Sequence, residues 1–154
     1  MLYWKLYSQP AAVVNIKSWF AHGDRRHIRD GLERLVARLP RSLSRNWPDV
    51  RDVLAEIDSV PVSGMKTSTA LPVRTTFLHF FYPSVVPIFH AMVLKAVDLW
   101  SPGANTQLPV LEDYLPRAWH LANTYEPRLS GFAETPLRLI DMALWVVRDS
   151  RGIV

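Results

Sequence analysis

Twelve prolines distributed through 154 residues limit what this chain can fold into more than any other feature. Proline has no N–H to donate, and its ring clashes with the preceding turn, so regular elements begin at a proline or stop just before it. Together with the glycines, the prolines cut the chain into pieces of helical length. The clearest piece runs from Asp24, a helix-capping residue type, to Leu39, where Pro40 stops it. Within it Ile28, Leu32, Leu35, Val36 and Leu39 recur at helical spacing and mark the buried stripe.

The same logic carries along the chain. Pro10 opens a short helix over 11–20, and residues 1–9 read as a strand or a docked arm. Asn46 or Trp47 precedes Pro48, and Val50, Val53, Leu54 and Ile57 mark a helix ending near Asp58. Residues 59–71 are rich in small and hydroxyl side chains and read as a long loop. From Val73 to Tyr82 the sequence is apolar all round and reads as a buried helix. Val85, Ile88, Phe89, Met92, Val93, Ala96, Val97 and Trp100 form a stripe that predicts a central helix over 85–100. Phe77, Leu78, Phe81, Ile88, Phe89, Met92, Val93 and Val97 are the expected core. A helix over 110–125 is kinked or divided by Pro116, and Thr135 with Pro136 starts a last helix through Val147. The expected fold is an all-α, single-domain orthogonal bundle of six or seven helices, with 73–82 and 85–100 at its centre.

Composition narrows the chemistry. There is no cysteine, which excludes disulfides, thiolate zinc sites and cysteine nucleophiles. No apolar run is long enough to cross a bilayer, and the first residues lack the pattern of a signal peptide, so a cytoplasmic protein is expected. Charge is unevenly placed. Seven arginines (Arg25, Arg26, Arg29, Arg34, Arg38, Arg41, Arg45) stand against Asp30 and Glu33 between residues 25 and 45, leaving 11 basic and 12 acidic residues for the remainder. The net +4 therefore originates in one stretch. Arginine's planar fork suits phosphate and carboxylate groups, so Arg26, Arg29, Arg34, Arg38, Arg41 and Arg45 form a candidate surface for nucleic acid or an acidic protein. The competing reading is a solvated face in which Asp30 and Glu33 pair with their arginine neighbours.

Five histidines show no metal-ligand spacing, and the P-loop, dinucleotide-binding and nucleophile-elbow motifs are missing. No metal site and no cofactor is expected. His79, His90 and Asp141 lie on separate segments and are candidates for one converging catalytic pocket. The plainer alternatives are a core histidine with one satisfied ring nitrogen for His79 and an ion pair to Arg138 or Arg148 for Asp141.

Thr76 to Pro83 (TFLHFFYP) followed by Pro87 to His90 (PIFH) resembles a K-x-L-H-F-x-x-P-x-x-x-P-I-x-D pattern found in small bacterial helical proteins. More distantly it is similar to the segment of helix-hairpin-helix DNA glycosylases that joins a catalytic lysine to a catalytic aspartate. The likeness spans about a tenth of the chain and extends to LRLIDMALW, which resembles the closing helix of the small proteins. The resemblance implies a helical fold. It does not carry the glycosylase reaction, because Thr76 stands where the lysine would be and His90 where the aspartate would be, and neither side chain can do that chemistry. Ser63-Gly64-Met65-Lys66 only loosely matches a hairpin turn. The reading favoured by the residues is a non-catalytic binding protein of bacterial or phage type using the arginine face. The alternatives are an enzyme built on His79, His90 and Asp141, and a toxin-antitoxin or phage-defence component.

Overall fold

The computed structural model describes residues 25–58 and 71–147. Six α-helices occur among them: α1 (Arg25–Arg38), α2 (Trp47–Asp58), α3 (Leu71–Phe81), α4 (Ala91–Ala96), α5 (Leu108–Leu129) and α6 (Pro136–Val147), with a 3-10 turn at Ala104–Thr106. No strand occurs among the described residues. The expected strand or arm over 1–9, the helix over 11–20 and the cap at Asp24 lie outside them, as does the loop over 59–71 except for Leu71, which is the first residue of α3.

Local chemistry sets the helix ends. Asn46 caps α2, its Oδ1 accepting from the Asp49 N–H at 2.9 Å. Thr135 caps α6, its Oγ1 accepting from the Arg138 N–H at 3.3 Å, and Pro136 follows in the first helical position. At the end of α4, Asp98 adopts a left-handed φ of 58°, and the Leu99 N–H reaches back to the Leu94 carbonyl at 2.9 Å. These are the marks of a Schellman-type stop, with aspartate tolerating the conformation usually given to glycine. α5 passes through Pro116 without dividing.

The expected helix over 85–100 is not formed. Only Ala91–Ala96 is helical, and residues 86–90 run without helix. Pro87 has no N–H for a helical bond and keeps Val86 out of the helical region. His90 is extended at φ −147° and caps α4 through Nδ1, which accepts from the Met92 N–H. The apolar spacing there instead serves extended chain lying in the core: Val86, Ile88 and Phe89 are buried, whereas Met92 and Val97 are only partly so.

Non-helical chain buried in a core must have its polar groups satisfied from outside. The four consecutive carbonyls of residues 83–86, the turn that leads into this segment and its first residue, accept from side chains of four other parts of the fold. The Thr135 hydroxyl donates to Pro83 at 3.1 Å, Arg45 Nε to Ser84 at 2.8 Å, Trp119 Nε1 to Val85 at 2.6 Å and His79 Nδ1 to Val86 at 2.7 Å. The Phe89 N–H donates to Thr75 Oγ1 at 3.0 Å, and the Tyr82 hydroxyl ties the start of the segment to the Pro40 carbonyl at 2.6 Å.

Around this junction the core gathers Leu35 from α1, Val50, Val53, Leu54 and Ile57 from α2, Leu71 and Leu78 from α3, and Leu111, Tyr114, Leu115 and Ala118 from α5. α6 packs chiefly against α5 and α4. Other expectations need correction. α3 begins at Leu71, ahead of Val73, and is not apolar all round: Arg74, Thr75, Thr76 and His79 are buried while Phe80 and Phe81 are exposed. Phe81 leaves the core because the same helix turns its hydroxyl-bearing face inward to bond Phe89. Val36 and Trp100, each read as part of a buried stripe, are also exposed.

Candidate functional site

The arginine surface is partly neutralised by its own surroundings. Arg29 lies 3.4 Å from Asp30 and 3.6 Å from Glu33. Arg38 reaches across to Glu56 of α2 at 3.7 Å. α2 packs against α1 and carries Asp49, Asp52, Glu56 and Asp58 against Arg51 alone, so the fold sets an acidic helix beside the basic one. Arg45 is committed to the Ser84 carbonyl and to Asn123 of α5. Arg26, Arg34 and Arg41 are exposed, and among the described residues neither Arg34 nor Arg41 forms an ion pair.

Of the three catalytic candidates, His79 lies on α3, His90 just before α4 and Asp141 on α6. Arg138 Nη1 donates to Asp141 Oδ2 at 2.6 Å in an i,i+3 ion pair, with the carboxylate almost wholly buried. His79 is buried on α3, its Nδ1 bonded to the Val86 carbonyl at 2.7 Å. One turn beyond Asp141, the Trp145 indole packs against His90 in a tilted arrangement with ring centroids 4.9 Å apart. The structure thus gives the three candidates separate contacts: Asp141 is paired with Arg138, His79 is bonded to the Val86 carbonyl, and His90 belongs to the aromatic contact with Trp145 and to the α4 cap. Thr76 is buried and donates to the Pro72 carbonyl at 2.6 Å, a local back-bond that leaves no nucleophile on display.

Burial lowers the pKa of His79 from its ordinary value, opposed by the hydrogen bond to Val86 and aided by Arg138. A carbonyl oxygen can only accept, so Nδ1 carries the ring proton and Nε2 is the bare nitrogen of a neutral imidazole. Tyr114 of α5 is fully enclosed, and its hydroxyl has no hydrogen-bond partner among the described residues. Burial, and secondarily the charge of Asp141, raises its pKa well above 10. Arg138 was legible in the sequence only as a partner for Asp141, and nothing in the spacing singled out Tyr114 from other apolar positions of its helix. Among the described residues no group of histidine and carboxylate side chains has the geometry to hold a metal ion, and no helix is long and apolar enough to cross a membrane.

Compared with protein-family models, with curated proteins and with solved structures, the chain matches none.

Proposed function

We propose that the chain is a non-catalytic binding protein that takes an acidic partner on the outer surface of α1 and the turn behind it. The observation that carries this reading is the state of Arg34 and Arg41, exposed cations whose neighbours of like charge are already paired or committed elsewhere. Their attachment to the fold is firm, since Leu35, next to Arg34, is buried in the core. Neutralisation of Arg29 by Glu33 and of Arg38 by Glu56 interrupts the continuous positive track that a phosphate backbone follows. A carboxylate-bearing protein segment, which needs only a few placed cations, suits the surface better than a duplex does.

Binding of a polyglutamate peptide and of duplex DNA to the full chain at physiological salt tests the reading, with the double variant Arg34→Glu, Arg41→Glu beside the wild type. The peptide is expected to bind in a salt-sensitive manner and the double variant to lose that binding with its fold intact. Preference for DNA, with affinity falling steeply as salt rises, would replace the protein partner by nucleic acid. Identical behaviour of variant and wild type toward both probes would leave the arginines as a solvated face and end the proposal.

A further inference from the structure

Two sets of exposed charge, opposite in sign, find no ion-pair partner among the described residues. On the basic side stand Arg34 and Arg41. The acids of α2 do not answer them: Glu56 faces Arg38, Asp52 faces Arg51, Asp58 holds Arg74, and Asp49 accepts from the Ser44 N–H. Near the start of α5, by contrast, Glu112 and Asp113 stand side by side, both exposed and neither in an ion pair among the described residues. Glu126 and Glu134 are also exposed without an ion pair there, but each stands singly.

The fold keeps the two sets apart. Arg45 bonds Asn123, which ties the arginine turn to the far half of α5. About 15 Å of helix, at a rise of about 1.5 Å per residue, separates Asn123 from Asp113. That helix runs unbroken through Pro116, so it acts as a strut holding the acidic pair away from the turn that carries Arg41. One molecule therefore has a basic end and an acidic end. Each end also has an exposed aliphatic side chain. Val36, 43% exposed, lies between the two arginines in sequence, and Leu108, 38% exposed, lies one helical turn before Glu112. Two copies meeting through the same surface would set like charges against each other. A head-to-tail contact instead sets Arg34 and Arg41 of one copy against Glu112 and Asp113 of the next.

We propose that the acidic partner of the α1 surface is a second copy of this chain, docked head to tail through Leu108, Glu112 and Asp113 of α5. The inference rests on the reading that the arginine surface takes an acidic protein, and it names that protein.

Light scattering of the full chain, read as average mass against concentration, tests this at ionic strengths of about 0.01 M and about 1 M, where charges are felt over about 30 Å and about 3 Å. Mass is expected to rise with concentration at low salt and to stay at that of one chain at high salt. Arg34→Glu with Arg41→Glu, and separately Glu112→Lys with Asp113→Lys, are each expected to weaken association at least about tenfold, because like charges then face each other. All four side chains are exposed, and the melting temperature checks that each variant is folded. Glu112→Gln with Asp113→Asn, expected to weaken association as well, serves if the lysine pair does not fold. An equal mixture of the two reversed variants is expected to associate again, since the acidic surface of one then meets the basic surface of the other. A wild type that stays single at low salt, association that either reversal leaves unchanged, or a mixture that fails to re-associate overturns the proposal. Polyglutamate binding separates the two failures. A chain that binds the peptide but stays single keeps the acidic-partner reading and loses the second copy, whereas a chain that does neither loses both.

Discussion

Nδ1 of His79 lies 2.7 Å from the carbonyl oxygen of Val86, seven residues further along the chain and across the turn that begins at Pro83. The bond joins the inward face of α3 to extended chain that has no helix of its own to satisfy it. It also fixes which ring nitrogen carries the proton.

One consequence is a pH dependence of stability. The folded-state pKa of His79 lies below its ordinary value of 6.5, so between those two values the unfolded chain binds more protons than the folded one. Stability is expected to fall as pH is lowered through that window and to be fully restored, as far as this group is concerned, above 6.5. In His79→Leu that dependence should disappear, alongside a loss of about 1–3 kcal/mol at neutral pH from the orphaned Val86 carbonyl. Urea denaturation of both proteins across the acid limb measures this. Parallel limbs would mean that His79 protonates as easily in the folded protein as in the unfolded chain.

Tyr114→Phe is expected to be neutral or stabilising. Its hydroxyl is enclosed without a partner, and enclosing an unpaired polar group costs about 1–3 kcal/mol, part of which the phenylalanine recovers. A marked drop in melting temperature would show instead that the hydroxyl has a partner in solution, with ordered water the first candidate. In the wild type, spectrophotometric titration should find one tyrosine that resists ionisation until the protein unfolds, in keeping with its strongly raised pKa.

Phe89→Ala should remove about 3–5 kcal/mol, the usual cost of a large cavity in a closed core. Phe89 is fully buried, and its ring packs against that of Tyr114 with centroids 5.8 Å apart. Chemical denaturation gives the value directly. An unchanged midpoint would take residues 86–90 out of the cooperative core.

Thr135→Ala severs two connections at once, the cap on α6 and the bond to Pro83. A cap alone is worth about 1 kcal/mol, so the alanine variant should lose more than that, and Thr135→Ser, which keeps both bonds, should lose much less. Equal losses in the two variants would assign the effect to the methyl group and its packing.

Much of the helical framework could be read from residue order. The four apolar positions of α2 are all buried, and Thr135 with Pro136 marked the start of α6, because caps and stripes are local rules that act within a few residues. The stretch 85–100 misled for the same reason. Its apolar spacing is helical, but Pro87 and the four carbonyls of 83–86 take their structure from partners as far as 52 residues away. Distance likewise hid the fate of Arg45, which reads as one more charge on a basic face until Ser84, 39 residues on, claims its Nε. Asp141 was read with its ion-pair partner Arg138 because the two share a helical turn.

The row of carbonyls from Pro83 to Val86 bears on how the chain reaches its fold. Three of the four bonds join residues 34, 39 and 52 positions apart, and only the one from His79 is short-range, at seven. Closing such long loops costs chain entropy before any contact rewards it, so the helices can form while this segment still lacks its partners. The junction is therefore expected to form late, after the transition state. Weakening it through Arg45 or Thr135 should leave the folding rate nearly unchanged and accelerate unfolding, so that this segment governs how long the native state persists.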